Sequence, residues 1–188
     1  MKRIFIFLFC LITCLFIPFK SEARKSIAIS GFGGGEFPLL SSYPDLDIGA
    51  GGGVSFEYRF NQHWGISTSL SVFAHNGEGV SAGDKDMLFL DVPDVDLKFY
   101  FLSQERAFDP YISAGMGIGV LTEGSIDNNS GGAGIGSQVG LGSDFYLKDW
   151  LSVGLLAQFK TLALIRGSSQ SSALLFMRAL GNFTFHFK

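Results

Sequence analysis

Apolar side chains recur at every second position along most of this chain, and this period constrains the fold more than any other feature. In the stretch 110–121, PYISAGMGIGVL, one parity is apolar and the other carries Gly115, Gly117 and Gly119. Such alternation predicts a β-strand with two different faces, because successive strand side chains point to opposite sides. A phosphate-binding glycine loop would require a helix after the glycines, and no helical spacing follows Leu121. We therefore interpret the glycines as one face of a strand.

Eight segments carry this alternation, at about residues 25–36, 48–60, 65–76, 87–102, 110–122, 133–147, 151–164 and 173–187. The fourth changes phase at Pro93, which predicts a β-bulge, since proline within a sheet belongs at bulges or edges. The short connections NQH, SQERAFD and KD alternate with generally longer ones, such as FPLLSSYPDLD, that are rich in turn-forming residues. This pattern predicts an all-β fold, an eight-stranded antiparallel transmembrane β-barrel with short turns at one end.

Composition indicates which face of the barrel points outward. Beyond residue 23, 11 of the 14 basic and 16 of the 17 acidic residues remain, a net charge of −5 that argues against a nucleic-acid partner. The face opposite the apolar residues carries mainly Gly and Ser, which suit the crowded interior of a small barrel better than a surface in water. We therefore expect the apolar face to contact lipid. A secreted soluble barrel with an apolar ligand cavity is the alternative.

The first 23 residues predict a secretory signal peptide. The sequence opens with MKR, continues with the apolar run IFIFLFCLITCLFIPF and reaches small residues that suit cleavage after Ala23. An uncleaved anchor is the alternative, but the run is shorter than the ~20 residues of a spanning helix. Both cysteines, Cys10 and Cys14, lie in this segment. Residues 24–188, the expected barrel domain, therefore have no thiol for a disulfide, a metal site or a nucleophile.

Two stretches carry a resemblance to a known family: VPDVDLKFYF at 92–101 and DPYISAGMGIGV at 109–120. They resemble the outer-membrane β-barrel domains of OmpA- and OmpX-like proteins, in which a strand ending in aromatic residues is commonly followed by a Pro-Tyr-opened, glycine-alternating strand. The resemblance implies a barrel in the cell outer membrane, surrounded by outer-membrane lipid and delivered by periplasmic chaperones and the barrel-assembly machinery. Family members often end in phenylalanine; here Phe183, Phe185 and Phe187 alternate before Lys188.

Two sets of residues are candidates for functional roles. Charged residues on the inner face, four acids and four bases, predict an ion-paired network in the lumen: Glu57, Arg59, Asp94, Asp96, Lys98, Asp144, Lys160 and Arg178. Aromatic residues near the short turns predict an interfacial girdle: Phe60, Trp64, Phe99, Phe101, Phe145, Trp150, Phe183, Phe185 and Phe187. Because small barrels are usually filled by side chains, the network predicts a plugged lumen. A narrow solute pore is the alternative.

Neither a cofactor nor a catalytic centre is expected. The three histidines, His63, His75 and His186, lie far apart in the sequence and give no metal-ligand spacing. A lipid-modifying barrel enzyme would need a nucleophile, a base and an orienting acid at its rim. On the loop side, His75 has Glu78 nearby but no clear nucleophile. We therefore expect a non-enzymatic barrel with a structural or surface-interaction role, whose extracellular partner the sequence does not specify.

Overall fold

The chain forms a closed antiparallel β-barrel in a computed structural model, which describes residues 26–40, 46–78, 84–102, 107–123, 132–166 and 171–187. Consecutive strands pair, and β1 pairs with β8 to close the barrel, which confirms the predicted fold class. The strands are β1 (Ser26–Leu40), β2 (Gly49–Arg59), β3 (Trp64–Glu78), β4 (Asp84–Tyr100), β5 (Phe108–Glu123), β6 (Gly132–Lys148), β7 (Leu151–Arg166) and β8 (Ser171–Phe187). The expected signal peptide at 1–23 lies outside the described residues. Within the described ranges, no helix is long and apolar enough to cross a membrane.

Several strands extend into segments that the sequence assigns to connections, and β1 and β5 are two of them. Strand β1 continues to Leu40, four residues beyond the expected end, because its pairing with β8 runs through Phe37 and Pro38 before the register shifts. Pairing with a neighbouring strand therefore outweighs the local turn signal of proline. Asp109, expected in the turn SQERAFD, lies in β5 opposite Asp144. Its side chain is consequently part of the barrel interior.

The two faces of each strand meet different surroundings, as the alternation predicts. On β5, Ile112 and Ile118 are exposed on the outer face, whereas Tyr111 is buried inside. Inner glycines provide the space for large inner side chains: a Cβ at Gly142 would overlap the ring of Tyr111. A Cβ at Gly117 would likewise overlap the carboxylate of Asp94. The glycine-rich face is therefore the inner wall of a filled barrel.

A β-bulge interrupts β4 at Pro93, where the sequence predicts one. Asp91 and Asp94 are three residues apart, yet they pair with Gly119 and Gly117 of β5, which are two residues apart. The same extra residue shifts the pairing with β3 between Ser69 and Ser71. A bulge of this kind lets both flanking residues keep the same face. Both aspartates consequently point inward and are only 2% exposed.

The apolar core of the barrel lies inside its loop end. Ten buried side chains form this cluster, here called the apolar plug: Leu46, Phe73, Met87, Phe89, Leu121, Leu162, Leu164, Leu174, Phe176 and Leu180. On β8 the inner positions run from Leu174 and Phe176 to Arg178, and then to Leu180, Asn182 and Thr184. The interior therefore changes from mainly apolar near the loops to mainly ionic and polar toward the short turns. This plug differs from the polar inner face that the alternation predicts.

Candidate functional site in the barrel lumen

A chain of alternating charges lies directly beneath the apolar plug. We call it the ionic ladder, and its members, all at most 3% exposed, are His75, Glu36, Arg178, Asp91, Lys160 and Asp94. Arg178 lies 2.5 Å from Glu36 through Nε and 2.7 Å from Asp91 through Nη2. Lys160 Nζ lies 2.7 Å from both Asp91 and Asp94. Strands β1, β3, β4, β7 and β8 each contribute, so the ladder connects opposite walls of the lumen.

His75 links the ionic ladder to the chain segment that joins β1 and β2. Its Nδ1 lies 2.9 Å from the backbone carbonyl of Asp47, and its Nε2 lies 2.8 Å from Glu36 Oε2. A carbonyl oxygen only accepts hydrogen bonds, so Nδ1 donates to Asp47 and a proton must lie between Nε2 and Glu36. His75 also contacts Phe89 of the plug edge-to-face, with ring centroids 5.1 Å apart. One side chain therefore joins a loop backbone, the plug and the ladder.

Arg59 organises a second cluster, near the short turns. Its Nη2 donates to Asp109 at 2.7 Å, and its guanidinium lies 3.4 Å from the ring centroid of Tyr100. The Tyr100 hydroxyl donates to Glu57 at 2.6 Å, and Glu57 also accepts a hydrogen bond from Lys98 at 2.6 Å. The stacked guanidinium and the shared carboxylate hold side chains from three strands, β2, β4 and β5, in one arrangement. This cluster occupies part of the lumen near its short-turn end.

A cavity of about 60 Å³ lies between the ladder and the Arg59 cluster. Four carboxylates line it, from Glu57, Asp94, Asp96 and Asp144, together with the cationic groups of Lys98 and Arg178. Asp96 accepts a hydrogen bond from the neutral amide of Gln138 at 2.8 Å. Most other lining residues are serines or carry hydroxyl or amide groups. The cavity is therefore a polar chamber within an otherwise filled barrel.

The eight charged residues assigned to the lumen from the sequence all lie on its inner wall. Seven are buried, and Lys98 is partly exposed, with 15% of its side chain accessible. The structure adds three acids that the sequence analysis missed: Glu36, Asp91 and Asp109. The expected balance of four acids and four bases is thus wrong for the described lumen, which has seven acids and four Lys or Arg side chains.

The omitted acids had different sequence signals. Asp91 shares its parity with Phe89 before the bulge, so the alternation alone could have assigned it to the interior. The expected strands end at Glu36 and leave Asp109 in a turn, so the alternation assigns neither residue to the inner or the outer face. Strand ends are the least reliable part of a sequence-based assignment. The omissions of Glu36 and Asp109 therefore follow from the uncertain strand ends, whereas that of Asp91 does not.

The nine aromatic residues assigned to a girdle lie on the outer face near the short turns. Several contact one another: Trp64 lies edge-to-face on Phe99 with centroids 4.9 Å apart, and Trp150 stacks on Phe185 at 6.0 Å. Phe183 and Phe185 form a further edge-to-face pair at 5.2 Å. The structure thus brings these side chains into a band around one end of the barrel.

The histidines outside the ladder lie at the short-turn end. His63 is exposed, with Nδ1 2.9 Å from the carbonyl of Tyr100. His186 Nε2 lies 2.8 Å from Ser152 Oγ, a pairing of base and hydroxyl that the sequence analysis did not identify. Among the described residues, no carboxylate hydrogen-bonds to His186. Over all the residues that the structure describes, no three His, Cys, Asp or Glu side chains are arranged to hold a metal ion.

Comparison with known proteins agrees with the observed barrel fold. A family model described as the outer membrane protein beta-barrel domain matches residues 8–167. The outer membrane protein OprG from Pseudomonas aeruginosa is similar in structure, with 16% identity, a TM-score of 0.58, and coverage of 88% of this chain and 96% of that one. Neisserial surface protein A (NspA) is 12% identical with a TM-score of 0.60, over 87% and 97% of the two chains. At these identities the likeness concerns the fold, and no curated protein matches the sequence.

Proposed function

Because the chain belongs to the outer membrane protein β-barrel domain family, we propose that it serves the outer membrane as a closed barrel with a structural or surface-interaction role. The family places the chain in the outer membrane of a Gram-negative cell, which removes the secreted soluble barrel from consideration. The observation that carries the proposal is the filled lumen, in which the apolar plug and the ionic ladder follow one another. On this proposal the chain is neither a narrow solute pore nor an enzyme.

The two layers oppose conduction by different physical means. An ion entering the apolar plug would lose its hydration without gaining polar contacts, an idealised cost on the order of 20 kcal/mol. Below the plug, Arg178 and Lys160 are each held by two carboxylates at 2.7 Å or less. Moving either side chain aside would leave buried carboxylates without their partners. A permeating solute would therefore have to disrupt both layers.

The arrangement of Ser152 and His186 supports a non-catalytic role. Ser152 is fully buried inside the lumen, whereas a lipid-modifying enzyme needs its nucleophile at a rim that lipid reaches. An activated serine also needs a base that is oriented by a third group. In the described part of the chain, His186 donates no hydrogen bond to a carboxylate that could orient it. We assign the pair a role in joining β7 to β8 near the short turns.

The outer face supports the partners that we propose. Its exposed apolar side chains suit outer-membrane lipid, and the aromatic girdle suits the interfacial region of the bilayer. Phe183, Phe185 and Phe187 lie on this face of β8, where the barrel-assembly machinery would meet the last strand. Periplasmic chaperones would deliver the unfolded chain, whose apolar face is not covered before insertion. An extracellular partner would contact the loops between the strand pairs.

Conductance in planar lipid bilayers tests the closed-barrel proposal. We expect no discrete openings from the wild-type barrel across ±100 mV, on the order of a physiological membrane potential. The double variant Phe73→Ala/Phe176→Ala removes two rings from the plug, and we expect it to raise the ion leak. The matched control Phe56→Ala/Phe159→Ala removes two rings from the outer face, so it should remain silent.

The opposite outcome would identify a narrow pore. Stepwise openings by the wild-type barrel, changed in size or frequency by Arg178→Ala, would show that the ladder is a gate rather than a filling. A heat-unfolded sample of the same protein controls for detergent artefacts, since it has no barrel to insert.

A further inference from the structure

The polar chamber carries more negative than positive charge, and the excess is located on two residues. Lys98 is held by Glu57, and Arg178 is held by Glu36 and Asp91. Asp94, which also lines the chamber, is paired with Lys160. Among the described residues, Asp96 makes no direct ion pair and accepts a hydrogen bond from an uncharged amide. The cations that reach the chamber are therefore already engaged by other carboxylates.

Asp144 differs most from the other acids of the chamber in its contacts. Its side chain lines the chamber and the residue is only 6% exposed. Across the described ranges, Asp144 makes no hydrogen bond and no direct ion pair, and the positive charges of Lys98 and Arg59 act on it only from a distance. A buried carboxylate without a partner is strongly unfavourable, so charged groups in protein interiors are paired, bind a cation or lose their charge. Asp144 must therefore be neutralised, either by a cation within the chamber or by a proton.

We propose that the chamber binds a monovalent metal cation, Na⁺ or K⁺, beside Asp144. Side chains of serine, threonine, asparagine and glutamine supply neutral oxygen atoms around the carboxylates, and alkali cations are bound by such oxygens. A volume of about 60 Å³ admits an ion with a few water molecules but not a larger organic cation. A divalent ion would ask for converging carboxylates, and no such group of three exists among the described residues. The site goes beyond the closed-barrel role, because a barrel can be closed without it.

The short-turn end provides the route into the chamber. His186 lines the chamber and is partly exposed, whereas the opposite end is covered by the ladder and the plug. In outer-membrane barrels the short turns face the periplasm. The cation would thus equilibrate with the periplasm rather than with the outside of the cell.

Cation-dependent stability tests this site in the protein purified from outer membranes into zwitterionic detergent. The midpoint of urea unfolding is measured in NaCl, in KCl and in N-methylglucamine chloride at equal ionic strength. We expect a saturable rise in the midpoint with Na⁺ or K⁺ but not with the organic cation, since a ligand that binds only the folded state stabilises it. Either alkali ion supports the site, and the stronger response identifies the preferred ion.

Three variants locate the effect. Asp144→Asn should weaken the apparent cation affinity by about tenfold or more, because it removes a buried charge partner. The control Asp149→Asn makes the same chemical change at an exposed turn position and should keep the wild-type response. Asp96→Asn gives a second test within the chamber if Asp144→Asn does not fold, and it too should reduce the response.

Two outcomes would overturn the proposal. One is an equal midpoint of the wild-type protein in all three chlorides. The other is a protonated Asp144 at neutral pH in saturating NaCl, detected from the ¹³C shift of its carboxyl carbon. In that case a proton, and not a metal cation, neutralises the chamber.

Discussion

The loop half and the short-turn half of the lumen are both filled, but by opposite chemistries. Near the loops, Phe, Leu and Met side chains pack in the apolar plug without needing defined polar partners. Toward the short turns, the ladder and the Arg59 cluster consist of charges that each depend on a specific neighbour. Apolar packing tolerates changes of shape, whereas a buried charge does not tolerate the loss of its partner. The two halves should therefore respond very differently to single substitutions.

The largest effect is expected from Arg178→Met. This change leaves Glu36 and Asp91 without the guanidinium that each contacts within 2.7 Å. Breaking a buried ion pair by removing one partner typically costs about 3–5 kcal/mol. Urea unfolding of the folded barrel in detergent would measure the loss. A cost near that of an ordinary apolar substitution would show that the ladder is hydrated and that the two halves do not differ.

An intermediate effect is expected from Gly117→Ala, which tests how tightly the ionic half is packed. The new methyl group would overlap Asp94, so the carboxylate must leave its position beside Lys160. Overpacking of this kind costs roughly 1–3 kcal/mol. The control is Gly31→Ala on the outer face, where nothing lies within 4 Å of the added Cβ. Equal unfolding midpoints for the two variants would contradict a packed lumen.

The smallest effect is expected from Phe176→Leu, one inner position before Arg178 on the same strand. Phe176 is 1% exposed within the plug, and leucine keeps most of its apolar contacts. Hydrophobic replacements of similar volume usually cost less than about 1.5 kcal/mol. Measured beside Arg178→Met, this variant compares the two halves on one strand. A larger cost for Phe176→Leu than for Arg178→Met would reverse the comparison.

Most of the barrel could be predicted because its signal is repeated in every strand. Alternation identifies the strands and their faces, and the smallness of one face identifies the interior. The inner position of Phe73 conforms to this parity, although phenylalanine interrupts a run of serines. Local pattern and tertiary fold agree along nearly the whole chain, as expected for a sequence that specifies one structure.

The contents of the lumen were harder to predict because they depend on neighbours that are distant in sequence. Glu36 and Arg178 are 142 residues apart, yet they meet because β1 pairs with β8. The apolar plug combines inner residues from the loop ends of several strands, so no single strand shows it. Ser152 and His186 meet through the pairing of β7 and β8. Parity predicts which way a side chain points, but only the strand register determines what it contacts.

The bulge at Pro93 determines on which face of the barrel each later residue of β4 lies. Side chains alternate strictly along a strand, so a one-residue slip exchanges the two faces. Without the extra residue, Asp94, Asp96 and Lys98 would point toward hydrocarbon, and Val95 and Leu97 would point into the lumen. One inserted residue thus determines whether the charged side chains in the second half of β4 lie in the lumen or face the lipid.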